Sequence, residues 1–550
     1  MIRGSRAAHW LGLSAALLTA AAAAAPEPWT QVRADAIRSH VEFLASDLLE
    51  GRATASRGYD IAAAYVAAQF RQASLKPAGD GDSFFQNVPL LEATPVLPGS
   101  SAELVVDKHT RTFEYGTHYL PSADYLSASS TLTAPLTFVG FGIDAPELDH
   151  DDFANVDLAG RIAVIFTGAP AQFPHTQRAY YSSTYTKFPQ LIEHGAVGVV
   201  MISSPQDEKL FPWERVVAMS WAPQMRWLDE HDKPRNAYEQ LKLRFRFDQE
   251  AGAQFFEGAA KDFAAASAAA DAGESQAFEL PGLLTLSATT GLRRTDSMNV
   301  IAAAPGTDLR NELVVITAHL DHLGRGSAVN GDSIYNGAQD NALGTAILLE
   351  MARALNASGI KTRRTLVFAA LTAEEKGLLG SDYLAQHPMA DGTPVANINI
   401  DMPMLFAPTL DMIALGEKHS SLGAVARNAA GSQGYRLSPD PMPEQVAFVR
   451  SDQFSFIRQG IPAIVLSGGY QSRDKRVDVA ALRSEFLEKR SPQAGDDAAE
   501  PIDYATAADL ARINLRMAID VANAPGRPRW KNGDFLGRVF AQGAAEQKSE

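Results

Sequence analysis

The residues Leu-Val-Val-Ile-Thr-Ala from Leu313 to Ala318 form a short apolar, β-branched run that predicts a buried strand. Polar residues follow at once: His319, Asp321 and His322. A second apolar segment places Leu343, Ile347 and Met351 at every fourth position, with Leu348 and Leu355 beside them, and predicts a helix with Asp340 at its start. Further strand-like runs cover Arg364 to Thr372 and Asn397 to Ile400. The first runs into Glu374 and Glu375, the second into Asp401.

In open α/β sheets the crevice beyond the carboxyl ends of the strands is where ligands bind. An imidazole and several carboxylates converging there are ligands for hard and borderline divalent cations, and a hydrolytic zinc site needs such a set with a coordination position left open for water. Taken singly, each residue has an ordinary structural reading: a His-x-Asp after a strand, a solvated Glu-Glu pair, a helix cap, a turn aspartate. Their joint order along the chain points to metal chemistry.

Elsewhere, Ile61, Ala64, Tyr65, Ala68 and Phe70 mark a helix. From about Pro98 the pattern becomes alternating strands and glycine-rich turns, then a helical F-P-Q-L-I-E-H-G-A and a strand V-G-V-V-M-I, as in an autonomous module carried on a surface loop. Alanine-rich sequence from Ala259 to Ala272 predicts a helix or linker before the chain rejoins the first unit near Thr285. Asp411 to Leu415 and Ile461 to Leu466 read as strands, Ser421 to Ala430 and Ala505 to Val521 as helices, and R-P-R-W-K-N-G-D-F-L-G as a docking strap before a disordered tail from Ala541.

The chain has 46% apolar residues, ample for a core, and a formal charge of −15, which makes nucleic acid and anionic membranes poor partners. Met1 to Ala25 carries Arg3 and Arg6, an apolar run from Trp10 to Leu18 and an alanine tract with A-x-A sites, the pattern of a secretory signal peptide. Removing it leaves about −17, since the two arginines go with it. With no cysteine there is neither a disulfide nor a lipid-attachment site, so export to a bacterial periplasm or medium is expected, with stability from packing and metal.

The motifs A-H-L-D-H-L-G, G-A-Q-D-N-A-L-G, L-T-A-E-E-K-G-L-L-G-S, N-I-D-M and R-S-D-Q-F-S-F-I-R-Q-G-I-P-A together resemble the M28 family of zinc-dependent exopeptidases. That resemblance implies an α/β, three-layer zinc-exopeptidase fold with a mixed, mostly parallel central sheet. It makes Asp340 the carboxylate bridging two zinc ions, with His319 and Asp401 completing one site and Glu375 binding the other. Glu374 would be the general base, Asp321 a partner orienting His319 through its other ring nitrogen, and the Asp340–Asn341 peptide bond cis. Asp452 and Tyr470 fall in the region that lines the family's substrate pocket, as candidates to orient a substrate amine and to hydrogen-bond the developing oxyanion. The string S-D-L-L-E-G-R-A-T-A-S-R-G-Y-D resembles the family's N-terminal segment, where Arg52 and Arg57 read as structural pairing partners.

One departure stands out. The family's last zinc ligand is a histidine in a late loop, commonly Y-H-x-P-S-D-D, and the corresponding stretch here is Ser491-Pro492-Gln493-Ala494-Gly495-Asp496-Asp497, with no histidine after His419. The second metal would keep Asp340 and Glu375 alone, with Gln493, Gln471 and Asp474 as weak substitutes, so an asymmetric centre is expected, its second zinc weak or absent. The phrases V-D-L-A-G-R-I-A-V and H-G-A-V-G-V-V-M-I resemble a protease-associated (PA) domain, a β-rich insert acting as a lid. The expected layout is 1–25 signal peptide, 26–97 and 285–540 the two parts of the peptidase domain, 98–284 the PA-like insert and 541–550 the tail. The resemblance implies a secreted zinc exopeptidase acting on peptides, foremost an aminopeptidase. Its alternatives are a peptide-binding pseudopeptidase with one zinc or none, a carboxypeptidase, and a glutaminyl-cyclase-like enzyme.

Overall fold

A strand buried on both faces must be apolar on both, and Leu309–His319 meets that demand: Val314, Ile316 and Ala318 face one helical layer while Leu313 and Val315 face the other. The computed structural model describes residues 1, 27–96, 99–154, 156–387, 392–491, 494–499 and 501–541. The segment read as a signal peptide and the end of the tail therefore lie outside the described residues, apart from Met1 and Ala541.

Around this strand the sheet is parallel. Leu309–His319 lies between Arg364–Leu371 and Thr393–Asn399, and Thr393–Asn399 pairs in turn with Ala463–Gly468. Antiparallel partners flank this centre, with Asp411–Leu415 beside Ala463–Gly468 at one side and Phe278–Ala304 beside Arg364–Leu371 at the other. The mixed sheet matches the expected three-layer α/β fold. One layer contains Leu343–Ser358 and Tyr504–Asn523 with Ala34–Leu44 and Arg57–Gln72. The other contains Leu379–Gln386 and Gln453–Arg458, which contribute Leu384 and Phe456.

Local chemistry sets the ends of these helices. Ser56 accepts a hydrogen bond from the Tyr59 N–H to start Arg57–Gln72, and Asp503 accepts one from Thr506 to start Tyr504–Asn523. Leu343–Ser358 ends at Gly359, whose φ of 68° is the left-handed stop that glycine adopts without steric cost. Asp340 is not this helix's cap. The preceding turn Ala338–Ala342 is wider than an α-helix, Asp340 within it has non-helical φ and ψ, and its side chain faces His319 instead. The Asp340–Asn341 bond is cis.

The inserted segment builds a second sheet, in which Gly198–Ile202 lies parallel to both Ile162–Phe166 and Leu243–Phe247. Its junction with the first sheet falls inside one strand. Phe278–Ala304 pairs in its first half with Ser129–Phe138 and Ser101–Val106, and from Thr290 onward with Phe85–Pro95. The insert also lends the strand Gln224–Trp227 to the first sheet, paired with Phe85–Pro95. The alanine-rich stretch forms the helix Phe263–Asp271. The strap crosses between the units: the Trp530 indole donates to the Gly460 carbonyl (2.8 Å), and Phe535 packs on Tyr180 and Tyr181 of the insert.

Ile316 is fully buried in the central strand, so Ile316→Ala should cost about 2–5 kcal/mol through lost burial and a residual cavity. A clear fall in the thermal midpoint relative to wild type is the expected reading; an unchanged midpoint would mean that this strand is not at the centre of the core.

Candidate metal centre

Because the central strands are parallel, the residues after them emerge along one edge of the sheet. His319 ends Leu309–His319, Glu374 and Glu375 follow Arg364–Leu371, and Asp401 follows Thr393–Asn399. His319 Nε2 lies 3.1 Å from Asp340 Oδ1 and 3.1 Å from Asp401 Oδ1. Donor atoms of His319, Asp340 and Asp401 all lie within 4.8 Å of one another, and so do those of His322, Asp340 and Glu375. Asp340 is common to both sets, the place given to the bridging carboxylate.

His322 is the residue that the sequence reading passes over. Its Nδ1 lies 2.7 Å from Glu375 Oε1, and it gives the second set a third donor where two were expected. The signal was present in H-L-D-H, since a second imidazole directly past the strand end emerges at the same edge as the first. The late loop supplies something else. Pro492 and Gln493 lie outside the described residues, but Asp496 is buried, and its Oδ1 and Oδ2 accept from the Gln339 and Asp340 N–H groups at 2.8 and 3.0 Å. It braces the backbone of the shared aspartate. Gln471 is exposed and Asp474 pairs with Arg476, so neither substitutes for a ligand.

Asp321 positions two neighbours at once. Its main-chain carbonyl faces His319 Nδ1, the other ring nitrogen, at 3.1 Å. The carboxylate instead accepts from the Glu374 N–H (3.1 Å) and the Thr54 hydroxyl (2.9 Å). Ser451 donates to Asp401 Oδ2. Arg52, fully buried, donates to the carbonyls of Leu44, Leu320, Asn336 and Gly337, tying the N-terminal segment to the strand end and to the loop before Asp340. It is a structural clamp, as its sequence context suggests; Arg57 lies at an exposed helix start.

Burial and mutual repulsion govern the charges. Burial and then Glu375 raise Asp340, and burial also raises Glu375. Glu374 is held well above the ordinary carboxylate range by burial, with Asp401, Glu375 and Asp452 adding to the shift and His319 opposing it. Asp401 goes the other way: burial would raise it, but His319 and the hydrogen bonds from His319 and Ser451 hold it low. Burial works against a charged His319, yet Asp401, Glu374 and Asp340 raise it well above the usual imidazole range. His322 is lowered to about 4, first by burial, so at neutral pH it offers a lone pair.

The site opens on a cavity of about 740 Å³ lined by Asp340, Glu374, Glu375 and Asp401. The opposite wall comes from the insert, with Tyr115, Leu120, Met201, Phe211 and Met219. Tyr470 lines the cavity, with the Arg483 guanidinium stacked 4.4 Å from its ring centroid. Asp452 does not line it. It is fully buried behind the site, with burial pushing it up to about 7.

These residues fit a pair of divalent cations. Carboxylates of Asp321, Asp340, Glu374, Glu375 and Asp401 crowd around His319, His322 and one buried arginine, and such a surplus of buried negative charge is what bound cations offset. His322 Nε2 is buried with no hydrogen-bond partner among the described residues. Imidazole and carboxylate donors are those that zinc takes in hydrolytic sites.

A parallel-centred α/β sheet with two histidine–carboxylate sets sharing one aspartate defines a metallohydrolase-type centre. Residues 299–518 match the profile of Peptidase family M28. A probable zinc metalloprotease of Pyrenophora teres f. teres is 27% identical over 269 residues, 42% of this chain and 53% of that protein. Aminopeptidase YwaD of Bacillus subtilis is 30% identical over 110 residues, 20% of this chain and 22% of that one. The chain thus spans about half the length of the first of these relatives and less of the second. The solved aminopeptidase from Aneurinibacillus sp. strain AM-1 aligns over 91% of this chain and 96% of its own, with a TM-score of 0.52 and 20% identity, a likeness of fold.

Asp496→Ala leaves the buried Gln339 and Asp340 N–H groups without acceptors and should destabilise the protein by about 1–3 kcal/mol, read as a lower thermal midpoint. Asp496→Asn keeps one acceptor oxygen and should lose less; equal midpoints for all three proteins would remove the brace from the account.

Proposed function

We propose that this protein is an exported zinc exopeptidase, an aminopeptidase that removes N-terminal residues from peptides, with Glu374 as its general base. The observation that carries the reading is the placement of Glu374. It lines the cavity beside the two donor sets but belongs to neither, so its basicity remains available. Zinc held by His319, Asp340 and Asp401 and by His322, Asp340 and Glu375 would polarise the scissile carbonyl and acidify water. Glu374 takes a proton from the attacking water and delivers it to the leaving amine, a role suited to a carboxylate that burial makes more basic than usual. Tyr470, which lines the cavity, would donate to the developing oxyanion. Asp321 acts through others, fixing His319 with its carbonyl and the Glu374 backbone with its carboxylate.

His322 argues against the pseudopeptidase alternative, because the second set keeps three donors. The insert, proposed as a PA-like lid, forms the far wall of the cavity. Export is proposed from the signal-peptide pattern of Met1 to Ala25.

Glu374→Gln should lower release of a chromogenic amine from aminoacyl substrates by about a hundredfold to ten-thousandfold. Its metal content should match wild type; an undiminished rate would end the general-base assignment. His322→Ala should lose about one zinc per chain by elemental analysis while His319, Asp340 and Asp401 keep theirs. Unchanged metal content would mean that His322 is not a ligand.

A further inference from the structure

Although the chain carries a net charge of −15, four arginines line the cavity: Arg215, Arg246, Arg450 and Arg483. Among the described residues none of the four makes an ion pair. Arg483 is buried, donates to the Gly468 carbonyl and stacks on Tyr470, and its Nε has no partner. Arg246 donates to the Ser203 hydroxyl. The other two form a pair. Arg215, from the insert, donates to the Ser491 carbonyl, and Arg450, from the loop before Ser451, makes one long contact of 3.4 Å to the Gln445 carbonyl. Both guanidiniums lie over the Phe211 ring, 5.8 and 5.1 Å from its centroid.

Two cations against one aromatic ring repel each other, as Arg215 does Arg450, and that arrangement is stabilised when an anion joins them. Among the described residues no carboxylate lies within ion-pair distance of either guanidinium: Glu374 and Asp207 act on Arg450 from farther away, and Asp440, also in the wall, accepts from the Met442 N–H. Arg450 adjoins Ser451, which donates to Asp401, and Glu374 acts on its guanidinium, so Arg450 borders the metal centre. The insert lines the cavity around Arg215 with Leu210, Phe211, Val216 and Met219, and the volume of about 740 Å³ is that of a small-molecule pocket, typically ~300–1,000 Å³.

We propose that Arg215 and Arg450 bind the carboxylate of a short peptide substrate, its free C-terminus in a di- or tripeptide, so that the enzyme selects small peptides by gripping the end opposite the one it cleaves. This rests on the peptidase reading above and names the substrate class of the same site.

The test uses the full zinc-loaded chain carrying Glu374→Gln, so that binding is read without turnover. Calorimetry compares alanyl-alanine with alanyl-alanine amide and with alanyl-aspartate amide, which carries its carboxylate on the side chain. Alanyl-alanine should bind about tenfold or more tighter than its amide, the scale of a charge-assisted pair. Arg450→Gln or Arg215→Gln in the same background should bring that ratio close to one, and Arg450→Lys should retain part of it. Affinity for alanyl-aspartate amide equal to that for alanyl-alanine would move the assignment from the C-terminus to an acidic side chain. Equal affinities for acid and amide, no binding of any probe, or a ratio unmoved by both glutamine variants would overturn the proposal. If wild type hydrolyses dipeptide and amide with equal kcat/KM, the aminopeptidase reading stands and this one fails. If wild type hydrolyses neither while the binding difference persists, the reverse holds.

Discussion

Five carboxylates are buried together at one edge of the sheet, and the neighbouring architecture is arranged around their charge. Asp321, Asp340, Glu374, Glu375 and Asp401 meet at one edge of a sheet, close enough that burial and mutual repulsion raise Asp340, Glu374 and Glu375. Such a cluster is costly unless cations join it, and much of the surrounding architecture holds it in place. Arg52 clamps the loop before Asp340 through carbonyls, Asp496 holds the Asp340 backbone, and Asp321 fixes both His319 and Glu374. The parallel strands deliver their polar ends to a single edge, and the helices behind them pack against the same strands.

The sequence made much of this legible because its signals are local. The apolar strand ending in His319 and the carboxylates after the next strands are read from short patterns, and the parallel centre makes them converge. Other parts depend on contacts that no local pattern encodes. His322 was in view in H-L-D-H, yet its role becomes visible when Glu375, 53 positions away, is placed 2.7 Å from it. Asp496 lay in a loop searched for a missing histidine, and its hydrogen bonds to Gln339 and Asp340 span more than 150 positions. Asp340 reads as a helix cap because an aspartate before an apolar helical run ordinarily is one; the wide turn from Ala338 directs it to His319 instead.

The insert shows a different kind of illegibility. Its composition marks it as a separate module, but Phe278–Ala304 runs unbroken through both sheets, because strand pairing continues wherever a partner edge is offered. Gln224–Trp227 extends the first sheet, and Phe535 binds the insert from the C-terminal strap. The two units thus share a strand, a sheet edge and a cavity. Arginines scattered at positions 215, 246, 450 and 483 form no cluster in the sequence and become one in that cavity.

The second donor set has three donors, His322, Asp340 and Glu375, without a late-loop histidine. The most direct measurement is anomalous scattering at the zinc edge from crystals of the zinc-loaded protein. Two peaks are predicted, both against Asp340, one also against His319 and Asp401 and the other against His322 and Glu375. A single peak at His319, or a second peak whose third ligand comes from the loop at 491–497 with His322 turned away, would contradict the account.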